Sequence, residues 1–154
     1  MSTHYLDASA IVKRYLHESG SRWVAELWRR AEDSGLYSTA LVDVEVVCAL
    51  SRAQREGRIG LSRRNRLAGS FILEAQRDLN RMPVSVEILQ DAHRLALRYP
   101  LRAYDAVHLT TALELAERML WAGLPAPIFV SADSNLLVAA RAEGLVVENP
   151  NEHE

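Results

Sequence analysis

Three aspartates in this chain stand where carboxylates could do chemistry: Asp7, Asp105 and Asp133. Asp7 ends the short run Thr3-His4-Tyr5-Leu6 and is followed at once by a helical pattern, Ala10, Ile11, Val12, Tyr15 and Leu16. That spacing predicts a buried strand passing straight into a helix, with Ser9 as a candidate N-cap. Asp133 follows Pro127-Ile128-Phe129-Val130-Ser131, the clearest strand in the sequence, and precedes another helix. Asp105 falls in the first turn of a long helix that begins near Ala103. In parallel α/β sheets, ligands bind in the crevice outside the carboxyl ends of the strands. Asp7 and Asp133 therefore point to one edge, and Asp105 can join them. Any one of these acids, taken alone, is an ordinary helix-start residue favoured by the dipole. Their conjunction is what points to a site.

Carboxylates that converge repel one another, which raises their pKa values and costs stability. A divalent cation removes the conflict. Aspartate oxygens are hard ligands suited to Mg²⁺ or Mn²⁺, and such ions can bind a phosphodiester, activate a water and stabilise the leaving oxygen. The chemistry implied is metal-assisted phosphodiester hydrolysis.

The elements that must position these acids alternate between strand and helix. Helices are expected at 21–31, 41–55, 62–78, 88–99, 103–121 and after Asp133; strands are expected at 36–38, weakly at 82–86, at 127–131 and at 145–147. The start of the 41–55 segment is apolar nearly all round, which suggests a helix buried on more than one side. The alternation implies a three-layer α/β/α fold around a mainly parallel sheet. At 154 residues, 49% hydrophobic and 25% charged, the chain reads as one soluble domain over 1–154, with 149–154 a frayed tail. A net charge of −2 excludes nucleic-acid binding by bulk charge alone. The single cysteine, Cys48, excludes an internal disulfide and a thiolate zinc cluster. Neither a signal peptide nor a membrane-length apolar run is evident, so a cytoplasmic location is expected.

Four segments in order resemble the motifs of PIN-domain nucleases: Tyr5-Leu6-Asp7-Ala8-Ser9 with its continuation to Lys13, Ser38 through Glu45 to Leu50, Tyr104-Asp105-Ala106-Val107-His108-Leu109, and Val130-Ser131-Ala132-Asp133. The end of the chain, Asp133-Ser134-Asn135-Leu136-Leu137 through Ala139-Ala140 to Gly144-Leu145, also resembles that family, and the compact length resembles VapC toxins of bacterial VapBC toxin–antitoxin modules. The resemblance implies an acidic pocket at the carboxyl edge of a parallel sheet, Mg²⁺ or Mn²⁺, an RNA substrate, a VapB-like antitoxin partner and a homodimer. Carried over by position, Asp7, Glu45, Asp105 and Asp133 form an acidic quartet that is catalytic and metal-holding. Ser9 and Ser131 support the pocket. Asp43 and Glu45, two apart on their helix, are not separated by periodicity; the motif places the acid at Glu45.

Around this core lie residues with weaker claims. Lys13, Arg52 and Arg55 are candidate substrate contacts; the run Arg52, Arg55, Arg58, Arg63, Arg64 and Arg66 reads first as a solvated surface and second as a phosphate grip. His108 lies one turn after Asp105 and can reach the pocket's edge, although such a histidine more often packs. The five histidines lack zinc-ligand spacing. Trp23 and Trp28 read as core or dimer surface. An aspartyl-phosphate enzyme fits poorly, since Ser9 stands where a second aspartate is wanted. A PIN-like RNA- or protein-binding module without turnover is the main alternative.

Overall fold

The computed structural model describes residues 2–154. Strand β1 (His4–Leu6) leads into a short helix α1 (Ala8–Ile11) and a 3₁₀ turn (Val12–Arg14), then α2 (Ser21–Arg29). Strand β2 (Leu36–Thr39) is followed by α3 (Val42–Arg55) and α4 (Leu61–Asp78), and β3 (Leu79–Met82) by α5 (Val86–Arg98) and α6 (Ala103–Trp121). Strand β4 (Ile128–Val130), α7 (Ser134–Ala142), β5 (Val147–Glu148) and a 3₁₀ turn (Pro150–Glu152) complete the fold.

The five strands pair in parallel in the order β3-β2-β1-β4-β5. Parallel strands need crossover helices, and right-handed crossovers running in opposite directions from β1 place their helices on opposite faces. The side chains divide accordingly. Leu6, Leu36, Leu79 and Val130 pack with Ile11, Trp28, Val46, Leu50 and Phe71 on one face. Tyr5, Met82 and Phe129 pack with Leu95, Leu109, Leu136 and Ala140 on the other. Neighbours in sequence, Tyr5 and Leu6, thus serve two cores because strand side chains alternate. The result is a three-layer α/β/α fold. Its switch point lies between β1 and β4, where strand order reverses and where a ligand crevice is expected.

Several elements differ from the sequence expectation for local reasons. The strand expected at 82–86 lies upstream at 79–82, where Leu79 and Met82 are buried; Pro83 has no N–H to donate, and the Ser85 hydroxyl instead caps α5 by accepting from Ile88 N–H at 3.1 Å. Helix α3 is buried along one stripe, Val42, Val46, Leu50 and Ala53, while Val44 and Cys48 are exposed. Nor is the tail frayed. Pro150 is buried, and His153 stacks on Trp23 with ring centroids 4.6 Å apart and bonds Glu148 at 2.8 Å. Gly20 makes that seat possible. Its φ is +81°, and a Cβ there would lie 2.2 Å from the Pro150 carbonyl oxygen. Gly20→Ala is therefore expected to cost more than about 1 kcal/mol, read as a lower urea midpoint.

Candidate active site

The site is built from the first residue after β1. Asp7 caps α1: its Oδ1 accepts from Ala10 N–H at 3.0 Å and from the Ser9 hydroxyl at 2.7 Å, and its Oδ2 accepts from the Ser131 hydroxyl at 2.7 Å. Ser9, expected as the cap itself, instead sits in the first turn and also accepts from Ala132 N–H at 2.9 Å. Since Ser131 directly follows β4, these bonds stitch the two strand ends at the switch point. Asp7 is 4% exposed. Burial pushes its carboxyl above the ordinary aspartate range, against the opposing pull of nearby His108 and of the Ser131, Ser9 and Ala10 hydrogen bonds.

Asp133 caps α7 by accepting from Leu136 N–H at 3.0 Å. Its other oxygen faces Arg102, whose guanidinium donates to Asp133 Oδ2 at 3.2 Å and to Asp105 Oδ2 at 3.1 Å. Arg102 also lies over the Tyr104 ring, 4.9 Å from its centroid. One cation therefore joins two acids from different segments. Glu45, from α3, meets His108 Nε2 at 2.6 Å, and His108 Nδ1 meets the Tyr5 hydroxyl at 3.1 Å. Beside these groups opens a pocket of about 470 Å³ lined in part by Ser9, Lys13, Glu18, Glu45, Arg52 and Arg102.

A family model described as the PIN domain matches residues 4–142. The chain belongs to the PIN-domain family. Among curated members, ribonuclease VapC45 of Mycobacterium tuberculosis (strain CDC 1551 / Oshkosh) is 31% identical over 147 residues, covering 91% of this chain and 90% of that protein. Ribonuclease VapC49 of Mycobacterium tuberculosis (strain ATCC 25618 / H37Rv) matches with the same identity and coverage. The crystal structure of VapBC2 from Rickettsia felis bound to a DNA fragment from their promoter shares the fold, with a TM-score of 0.60 at 14% identity over 96% of this chain and 98% of that one.

Within this PIN domain the four acids named from sequence all lie along the carboxyl edge of the sheet or on helices α3 and α6 that border it. They are linked through intermediaries: Ser9 and Ser131 at Asp7, Arg102 between Asp105 and Asp133, and His108 at Glu45. Asp43 turns away to Arg81 at 2.7 Å. Lys13 is 5% exposed, and its ammonium donates to Ser19 O at 2.8 Å and meets Glu18 at 3.4 Å, so it reaches the pocket already partnered. Arg52 lines the pocket and Arg55 is exposed outside that lining; Arg58 is spent on Glu18 at 3.0 Å. Sequence reasoning misses Arg102, although its place three residues before Asp105 is a recognisable pairing distance on a helix.

The donor set fits a hard divalent ion in its chemistry, since it offers carboxylate and hydroxyl oxygens at one rim. Among the described residues, no group of three or more His, Cys, Asp or Glu side chains stands close enough to hold a metal as arranged. The Arg102 guanidinium bridges Asp105 and Asp133. That side chain is 63% exposed, so it can leave the rim without unpacking a core.

Because Asp7 has a folded-state pKa raised above its unfolded value, its contribution to stability is present below the unfolded pKa. It is lost as pH rises through the raised one. An amide cannot ionise and does not suffer that loss. In EDTA at pH 8, Asp7→Asn is expected to melt at a higher temperature than wild type, with the gap closing as the pH is lowered toward the acid range.

Proposed function

We propose that this protein is the ribonuclease toxin of a VapBC-type module, hydrolysing RNA phosphodiester bonds at the acidic rim with Mg²⁺ or Mn²⁺. The observation that carries the reading is the position of the acids. Asp7, Asp105 and Asp133 line up at the reversal of strand order. The curated relatives named ribonuclease VapC support the activity.

In this reading Asp7, Asp105 and Asp133 would hold the ion, and Glu45 would help hold it or orient the attacking water. The ion, when bound, supplies positive charge to the phosphoryl oxygens and makes water more acidic. Ser9 and Ser131 keep both Asp7 oxygens fixed in direction, which is the preorganisation that an electrostatic site needs. Arg102 gives up its carboxylates and is then free to meet a phosphate, whose acceptor oxygens suit the fork of a guanidinium. Arg52, and Arg55 beyond the pocket, would extend the contact along the RNA backbone. Exposed, free Cys48 suits a reducing, cytoplasmic setting, and no helix among the described residues is long and apolar enough to cross a membrane.

A VapB-like antitoxin and a homodimer are proposed with the activity. The rim's affinity for the Arg102 guanidinium supports an antitoxin that inserts a basic side chain there and displaces the ion. The alternative is a binding module without turnover, which the bridging of Asp105 and Asp133 by Arg102 favours, since a rim already neutralised has less need of an ion.

Incubating the purified chain with RNA in Mg²⁺, Mn²⁺ or EDTA separates these readings. Cleavage is expected with either metal, none with EDTA, and at least about a hundredfold loss in Asp7→Asn. Intact RNA in every condition, with binding retained, supports the module instead. Adding antitoxin to the same assay should suppress cleavage, and undiminished cleavage by the complex removes the insertion model. Light scattering of the purified chain at twice the mass of one chain is expected for the dimer.

For the basic residues, Arg52→Gln with Arg55→Gln should weaken RNA binding and flatten the slope of log K against log salt by about two. Unchanged affinity and slope leave those arginines as solvated surface.

A further inference from the structure

Glu45 differs from Asp7 and Asp133 in how it is held. Asp7 and Asp133 are short side chains fixed by backbone N–H groups or hydroxyls next to them in the fold. Glu45 is longer, with an extra rotatable bond, and it emerges from α3, not from a strand end. Among the described residues its carboxylate makes a single hydrogen bond, Oε1 to His108 Nε2 at 2.6 Å. The carboxylate also lines the pocket. Without that bond, a glutamate side chain would sample several rotamers and would have no fixed direction.

His108 is suited to be a fixed anchor. It is 1% exposed and stands edge-on to Tyr5, with ring centroids 5.9 Å apart. Tyr5 in turn is fully buried and stacks on Phe129 at 5.6 Å. The Tyr5 hydroxyl lies 3.1 Å from Nδ1 and has a hydrogen to donate there. The other ring nitrogen, Nε2, then carries the hydrogen that an ionised Glu45 accepts. A ring nitrogen's partner sets which nitrogen is protonated, and such an outer partner orients a ligating side chain.

We infer that His108, held in one tautomer by Tyr5, is a positioning residue that aims Glu45 into the pocket so that its carboxylate helps hold the catalytic cation. This rests on the metal-dependent reading of the site, and it adds a role for two buried residues that the acidic quartet does not include. The chain of contacts Phe129–Tyr5–His108–Glu45 runs from the sheet's core to the pocket and spans β4, β1, α6 and α3. Glu45 is thereby placed by the central sheet and not by its own helix alone.

The test is a double-mutant cycle read on Mn²⁺ affinity by calorimetry, using the full chain, with RNA cleavage followed separately. His108→Leu, Glu45→Ala and the double variant should each weaken Mn²⁺ binding by about 10–100-fold, the double variant no more than the worse single one. His108→Gln, whose amide can still donate toward Glu45, should recover most of the affinity. Tyr5→Phe, which removes one hydroxyl from a stacked ring, should fall between wild type and His108→Leu. In cleavage assays the losses should appear in kcat with KM nearly unchanged. Wild-type Mn²⁺ affinity in His108→Leu, or losses that multiply in the double variant, would overturn the inference. If His108→Leu does not fold, Tyr5→Phe against Glu45→Ala gives the cycle, with His108→Gln as the rescue. A wild-type chain that binds Mn²⁺ with the expected coupling but leaves RNA intact would sink the ribonuclease reading and leave the positioning role standing.

Discussion

A buried carboxylate at the meeting of two strand ends is the constraint around which this fold is arranged. Asp7 is almost sealed from solvent, and burial disfavours its charged form. The surrounding structure answers with donors: one backbone N–H from the first turn of α1 and two hydroxyls, one from each side of the switch point. The same hydroxyls hold the backbone, since Ser9 accepts from Ala132 N–H and Ser131 accepts from Asp133 N–H. Electrostatic repair and strand-end geometry are therefore one network. Loosening either serine would disturb both.

The other acids follow a common rule with different hardware. Asp105 and Asp133 share Arg102, an exposed and replaceable cation, whereas Glu45 leans on His108, a buried and fixed ring. Arg102 is at the surface, whereas His108 is in the core. Like charges at this rim are kept apart by opposite charge that the chain itself supplies.

The fold converts local pattern into this edge through topology. Three-residue strands such as β1 and β4 contribute little pairing by themselves. They are held because each is buried on both faces, Tyr5 and Phe129 on one side and Leu6 and Val130 on the other. A parallel sheet with both faces covered leaves its strand ends as the main place for polar groups. The acids sit at those ends for that reason.

Much of this was legible in order along the chain. Strand–Asp–helix at Asp7 and at Asp133, and a helix opening just before Asp105, are local patterns, and alternating strands and helices dictate parallel pairing. From these the layered fold and the shared edge follow without coordinates. Short-range competition limited the rest: Pro83 moved β3 upstream, Asp7 took the cap from Ser9, and Gly20 allowed the tail to dock where composition suggested fraying. Partnerships between distant side chains were decided only by the tertiary structure. Nothing near Glu45 in sequence marks His108 as its anchor, and nothing near Asp133 marks Arg102, because hydrogen bonds across 63 and 31 positions depend on how helices pack and not on the periodicity of any one of them. The sequence by itself determined where the negative charges stand; packing determined what neutralises and aims each one, since that depends on distances that only a folded chain has.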